Sequence, residues 1–480
     1  MSELNDDFYD QYVASRGAVA APAQFKQIRS NGWVIASSST LPITQLRFGS
    51  TEVGVLLGWA AEPKGTLVHR AEHLDVPDPS KSEFEEHLYE LAGRWACLLT
   101  GERPAVYLDP TGSLALTYSP ERGTVASTTT LHGFAEQADA GSRGRLAPNR
   151  FYPFGLTSRA GVTRLLPNHR LDLESFEVSR HWPTAPIRRD ERTAEHVAVI
   201  EQSTRDVLAT FASEYVLILP LTAGRDSRMV VSAAASLTEQ SEFVTFDYPG
   251  ARRGDVKYAR YVARRWSLNH HVLPVSEASE SVKERYLRLV GFDANEGKAN
   301  DFHQAAGMLP TDRAWVTGFA GEVGRAYYWR PSNSGLTASD LLRRMHLPTA
   351  KEALAAAQEW LDGVRDQDDE AILDLLYIEQ RLGCWASPQM YGAAPFAVNL
   401  TPLAQRRIFD AMLSLPTEYR AEQRLARDVA RAGWPEMAEL PFEGRPGAMG
   451  VFDRSHAGVR RFLKRNRRRA KKVLKLNRSR

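Results

Sequence analysis

Cysteine is almost missing from this chain. Cys97 and Cys384 are its only two, too few for a disulfide framework and too far apart to make a metal motif. Paired-cysteine chemistry is excluded with them. Long apolar runs are also missing, so no bilayer-spanning segment is expected. The opening MSELNDDFYD is acidic and has no signal-peptide core. These absences predict a protein of the reducing cytoplasm. Internal repeats are lacking too. From Arg454 to Arg480 there is no acidic residue at all. That stretch holds 13 of the 61 Lys and Arg, leaving 48 against 58 acids, a net charge of −10 on the rest. The formal net charge of +3 therefore hides an acidic body and one basic tail.

At 480 residues the chain is long enough for two or three domains. Residues 30–150 alternate β-branched and aromatic runs with Gly, Pro or Asp breaks, as in GWVIASS, EVGVLLGWA, RWACLLT and AVYLDPTGSLALTYS. They predict antiparallel strands in an α+β half. Within them Lys81–Gly93 predicts a helix, with Ser82 and Glu85 at capping-box spacing and Gly93 at its end. From about Thr193 long helical stretches alternate with the apolar runs YVLILPL, SEFVTFD, HHVLPV and AWVTGFA. That alternation predicts a parallel sheet with crossover helices. Residues 350–440 read as mostly helical.

One break carries chemistry. The apolar run ending at Leu219 gives way to Leu221-Thr222-Ala223-Gly224-Arg225-Asp226-Ser227, and an Ala-rich helix follows. The pattern is strand, tight turn, helix N-terminus. Gly224 there permits backbone geometry and close approach that a side chain would forbid. The first helical turn offers amides to an anion. An acid at such a place needs a cation between itself and a phosphate. The alternative reading is that Asp226 is an N-cap and the turn only a turn.

This stretch resembles the pyrophosphate loop S-G-G-x-D-S of the PP-loop ATP pyrophosphatases, with Thr222 and Ala223 departing at the first two positions. Phe246-Asp247 ends the next strand. Asp255 and His271 stand where the asparagine synthetase-like branch has an acid before a helix and a His after it. WVTGFAGEVGRAYYW resembles that branch's G-x-G-A-D-E segment, through Gly318, Glu322 and Tyr327. Gly321 falls where the family has its second metal-binding Asp, and Glu322 would serve instead. Arg424 stands where synthetases carry a Lys facing the reaction centre. Tyr377 and Glu379 fall in the helical region where members place acid/base groups. The N-terminal half resembles the Ntn-like class II glutamine amidotransferase domain but lacks its N-terminal nucleophilic cysteine. β-Lactam synthetases and lasso peptide cyclases share that lack.

The resemblance implies an amidotransferase-like domain over 1–185, an ATP pyrophosphatase domain over 190–453 with a helical C-terminal part, and a basic tail over 454–480. It implies ATP and Mg²⁺, with Asp226 and Glu322 as metal ligands. Nucleotide contacts come from residues 221–227, Phe246, Asp247 and Gly318, and catalytic roles from Arg424, Glu322, Tyr377 and Glu379. The expected reaction is adenylation of a small-molecule or peptide carboxylate and attack by an amine, without glutamine. A degenerate scaffold or regulatory protein of a biosynthetic assembly is the second reading.

Other features are weaker. His69 and His73, four apart, lack a third ligand and read as an exposed pair. Trp315 and Tyr327-Tyr328-Trp329 are candidates for a substrate pocket or for core. Val459, Phe462, Leu463, Ala470, Val473 and Leu474 form an apolar stripe in the basic tail. That stripe suits an anionic membrane surface or acidic partner, with nucleic acid disfavoured and self-docking or disorder equally open.

Overall fold

The computed structural model describes residues 8–63, 65–133, 143, 151–248, 254–301, 312–330, 335–395 and 397–442. The basic tail lies outside them.

Two largely antiparallel sheets build the N-terminal half, the one parallel pairing among their described strands being Ile43–Phe48 with His73–Asp75. In spatial order the six-stranded sheet runs Thr163–Arg164, Thr117–Ser119, Thr124–Ala126, Tyr12–Arg16, Trp33–Ser37, Lys26–Ser30. The seven-stranded sheet runs Val178–Arg180, His169–Asp172, Ala105–Leu108, Ala92–Leu99, Thr51–Ala61, Ile43–Phe48, His73–Asp75. Alternation explains its packing. Along the long strand Thr51–Ala61, Val55, Leu57 and Trp59 join the main core, while Leu56 and Ala60 face the cluster around Phe84 and Leu88 of the helix Ser82–Glu90. Each face of that strand is thus buried against a different layer.

The predicted helix over Lys81–Gly93 is shorter than expected. It ends at Glu90, and no side chain caps its N-terminus. Gly93 is instead the second residue of a central strand, with φ +120°. A Cβ there would lie 2.2 Å from the carbonyl oxygen of Trp59. This glycine is explained by strand-to-strand approach rather than by helix termination.

A five-stranded parallel sheet forms the second half, in the order His270–Pro274, Ser241–Asp247, Val216–Pro220, Arg313–Val316, Val398–Leu400. Its last strand lies in the region read as mostly helical. Only three residues long, it is too short to show a period. Leu217 and Leu219 join the main core, and Ile218 packs with Val244 and Leu273 on the other face. Burial on both faces gives the continuous apolar runs of the sequence. Helices Thr193–Ala212 and Arg225–Ala233 pack against one another and against Arg424–Gly433.

The halves are knitted together. Arg164 pairs with Asp293, Phe154 N donates to Gln380 Oε1 at 2.6 Å, and Gln11 Nε2 donates to the carbonyl of Leu289 at 3.0 Å. Among the described residues, no helix is long and apolar enough to cross a membrane.

Candidate nucleotide and metal site

The loop after Val216–Pro220 and the loop after Arg313–Val316 leave the same edge of the sheet from adjacent parallel strands. The carboxyl ends of such strands are where open α/β sheets bind ligands. Leu221 N extends the ladder to the carbonyl of Val244 at 2.8 Å, and the chain then turns. Gly224 N donates to Thr222 Oγ1 at 3.1 Å. Thr222 Oγ1 and Ser227 Oγ lie 2.6 Å apart. Ala223 N donates to Asp255 Oδ1 at 2.9 Å. Two loop amides are therefore held by side chains, one of them by Asp255, which lies in the first turn of helix Gly254–Trp266 rather than before it.

Gly224 is the N-cap of helix Arg225–Ala233, with φ −66° and ψ 164°. Any residue adopts that conformation, so the expected special geometry is not the reason for this glycine. A Cβ there would sit 3.1 Å from Thr222 Oγ1 and 3.5 Å from Ser227 Oγ, so close approach is. Asp226 is the second helical residue rather than the N-cap, which removes the simple capping account.

Asp226 ion-pairs with Arg325. Arg325 closes the short 3₁₀ segment Gly321–Arg325, whose flanking residues Ala320 and Ala326 both take left-handed backbone, φ +73° and +46°. That segment is held from behind. Arg420, fully buried, donates to the carbonyl of Val323 at 3.2 Å and to both oxygens of Asp374 at 3.0 and 2.7 Å. Neither Arg325 nor Arg420 was a sequence candidate. Nothing local distinguishes them from the chain's other arginines.

Gly318 and Gly321 admit Asp226. A Cβ on Gly321 would lie 2.6 Å from Asp226 Oδ1, and one on Gly318 would lie 3.0 Å from both Asp226 Cβ and Ser227 N. An aspartate at 321 would crowd Asp226. The neighbouring Glu322 brings a carboxyl to the place instead. Its pKa is pushed up from its ordinary 4.5 to about 7, first by burial and then by the charge of Asp226, with Arg325 and the Tyr377 hydroxyl opposing. Burial also raises Asp226, against the pull of Arg325. Asp226 Oδ1 and Glu322 Oε2 are both buried without a hydrogen-bond partner. Two crowded carboxyls with orphan oxygens suit a hard divalent cation, which takes oxygen ligands and usually keeps several waters. Arg325 supplies the compensating charge here. Among the described residues no group of three or more His, Cys, Asp or Glu could hold a metal.

Tyr377 joins this cluster. It is buried, its pKa raised by burial and then by Glu322, and its ring lies 5.0 Å from Tyr327 and 5.7 Å from Tyr328. It opens a π-helical stretch, Tyr377–Ala386, a wide turn often found at functional sites. Glu379, two residues on, faces elsewhere. It is ion-paired with Arg180 and accepts from Asn168 Nδ2 at 2.7 Å and Trp360 Nε1 at 2.6 Å. With its oxygens so occupied it serves the seam between the halves, and the structure gives it no contact with the Asp226 cluster. Arg424 is likewise apart: half-exposed, 3.0 Å from Glu422 and 4.8 Å from the Tyr419 ring centre. The cation beside Asp226 is Arg325.

Phe246 and Asp247 end the neighbouring strand, with Phe246 against Trp315 at 5.8 Å between ring centres. His271 lies 3.6 Å from Glu242. His69 and His73 share no helix. His69, in a 3₁₀ turn, meets the Tyr215 hydroxyl at 3.0 Å, and His73 on a strand lies 3.6 Å from Asp75, both half-buried rather than exposed. Cys97 is buried in the cluster around Phe84 and Leu88, and burial pushes its thiol far up. A thiol so held is no nucleophile.

No family model matches the chain, and no curated protein does. Among solved structures, it is similar to NMN synthetase from Francisella tularensis, at 14% identity and a TM-score of 0.22 over 39% of this chain and 93% of that one. It is also similar to NAD⁺ synthetase from Burkholderia pseudomallei, at 13% identity and a TM-score of 0.19 over 40% and 88%. The likeness is too slight to assign chemistry.

Proposed function

We propose that this protein is an ATP-dependent, AMP-forming carboxylate–amine ligase that works without glutamine. The observation that carries the reading is the pair of orphan carboxyl oxygens, Asp226 Oδ1 and Glu322 Oε2, beside a strand–turn–helix mouth. A carboxylate is a poor electrophile until one oxygen becomes part of a good leaving group. Its oxygen attacks the α-phosphorus of ATP, the bond to the β-phosphate oxygen breaks, and pyrophosphate leaves. An amine then attacks the carbonyl carbon, and AMP leaves with the oxygen it gained.

The chain's residues divide that work. The first-turn amides after Gly224 and the Ser227 hydroxyl bind the departing pyrophosphate. Asp255 and Thr222 must release Ala223 and Gly224 for their amides to join. Asp226 and Glu322 would hold Mg²⁺, which supplies charge neutralisation on the phosphates. Arg325 then turns from Asp226 towards the phosphate charge. Tyr377 orders the wall on the substrate side of Glu322. Cytoplasmic location belongs to the same reading.

The Asp226–Arg325 pair favours a second reading, in which a guanidinium has replaced the metal and the protein is a non-catalytic scaffold. ATP–pyrophosphate exchange over a panel of carboxylates decides between them. Carboxylate-dependent exchange supports the ligase; ATP binding without exchange for any member supports the scaffold. Glutamate release from glutamine at the rate of product formation would overturn the glutamine-independent part.

A further inference from the structure

A pocket of about 620 Å³ opens beside Arg325 and runs away from the Asp226 loop. Four arginines line it, Arg325, Arg330, Arg344 and Arg381, together with the ring-bearing run Tyr327-Tyr328-Trp329 and His346. Among the described residues no acidic side chain lines it. Gathering guanidinium groups in one concavity is unfavourable unless something anionic is to be met there. The crowding is visible at Arg344, whose pKa is lowered by burial and then by the charge of Arg330.

Three of these arginines rest on backbone carbonyls or a ring. Arg344 donates to the carbonyl of Tyr328 at 2.6 Å. Arg330 donates to the carbonyls of Tyr327 and Trp329 at 3.2 and 2.6 Å. The Arg381 guanidinium lies 3.7 Å from the Trp385 ring centre. Among the described residues neither Arg330 nor Arg381 has a carboxylate partner. Carbonyl and ring contacts use one face or edge of a guanidinium and leave donors for a ligand. Arg325 already has Asp226, so it is the gate between this pocket and the nucleotide loop. Tyr327, nearly half exposed at 47%, offers a flat apolar face at the mouth.

We propose that this pocket binds a polyanion with a flat or unsaturated framework, and that the substrate carries at least one further anionic group besides the carboxylate to be activated. The assignment as substrate rests on the ligase reading; the binding itself does not. Arg330 and Arg381 bind the distal anionic groups, the aromatic run covers the framework, and Arg325 marks the end where the reacting carboxylate meets ATP.

The test is calorimetric binding of benzene-1,3,5-tricarboxylate, citrate and phenyl phosphate to the full chain, with benzamide as the neutral control. At least one of the three anions should bind ten times or more tightly than benzamide, and more weakly as salt rises. Arg330→Gln and Arg381→Gln should each weaken that binding at least fivefold. Arg330 is exposed, so its variant keeps the test open should the other fail to fold. A non-hydrolysable ATP analogue should bind together with the anion. Binding no better than benzamide, indifference to both arginine variants, or mutual exclusion with the ATP analogue would each overturn the proposal. The last would mean that the arginines serve the nucleotide's own phosphates. Anion binding without any pyrophosphate exchange keeps the pocket and removes only the ligase reading.

Discussion

Two glutamates, the half-buried Glu322 and the fully buried Glu379, sit in neighbouring regions and are treated in opposite ways. Around Glu379 every oxygen is engaged by Arg180, Asn168 or Trp360. Despite complete burial, that company holds its carboxyl below the usual range: burial pushes up, and Arg180 and His169 prevail in the other direction. Around Glu322 the second carboxylate is a neighbour, one oxygen has no partner, and the pKa climbs to about 7. A satisfied buried charge holds structure together. An unsatisfied one is tolerated where function requires it. The difference separates the seam of the molecule from its candidate reaction centre.

The comparison breaks most visibly at the seam. Glu379→Ala strands Arg180 and should lower unfolding free energy by about 3–5 kcal/mol, read from denaturant midpoints at pH 7. Glu322→Gln should change it by about 1 kcal/mol or less at pH 5, where the buried carboxyl is already protonated. Equal losses in the two variants would erase the distinction.

Activity should divide the other way. Asp226→Asn is expected to cut carboxylate-dependent pyrophosphate exchange at least 100-fold, about 2.7 kcal/mol of transition-state stabilisation, while the protein still unfolds in one cooperative transition. Full activity would remove the loop from the site. Gly321→Ala, whose methyl group would meet Asp226 Oδ1 at 2.6 Å, should reproduce much of that loss without touching a charge.

The two glutamates should also mark opposite limbs of the pH–stability profile. Glu322 has a raised pKa, so the folded state keeps a proton that the unfolded chain has lost between pH 4.5 and about 7. Its stability contribution is therefore full below pH 4.5 and falls as pH rises to 7, by about 1–3 kcal/mol. Glu322→Gln should flatten that stretch. Glu379 has a lowered pKa, so its contribution is present above pH 4.5 and is lost on further acidification. Glu379→Gln should soften the acid limb alone. Midpoints at pH 3, 5 and 7.5 check both signs. Trp360→Phe removes one hydrogen bond to the same glutamate, and the loss of a bond to a charged group should cost about 1.5–3 kcal/mol, less than the loss of Glu379 itself.

The strand, turn and helix around Asp226 were legible because their signals are local. An apolar run, a small-residue break and an Ala-rich segment each follow from backbone preference within a few residues. The helix Thr193–Ala212 and four of the five parallel strands were legible for the same reason. The fifth strand and the edge strands Thr163–Arg164, Val178–Arg180 and His73–Asp75 were too short to show a period. Gly93 misled because a glycine that ends a helix and one that lets two strands approach look the same in sequence.

By itself, the sequence determined the order of the strongly periodic elements, the loop residues and the acidity of the body. Which cation faces Asp226, and which glutamate is free to act, were decided only by tertiary structure. Arg424 and Arg325 are equal as letters, and so are Glu379 and Glu322. Burial, distance and the number of partners within reach made Arg325 the counter-charge, Glu379 a tie between halves, and Glu322 the carboxyl left wanting a partner. Those quantities belong to chain segments tens to hundreds of residues apart, and no local pattern encodes them.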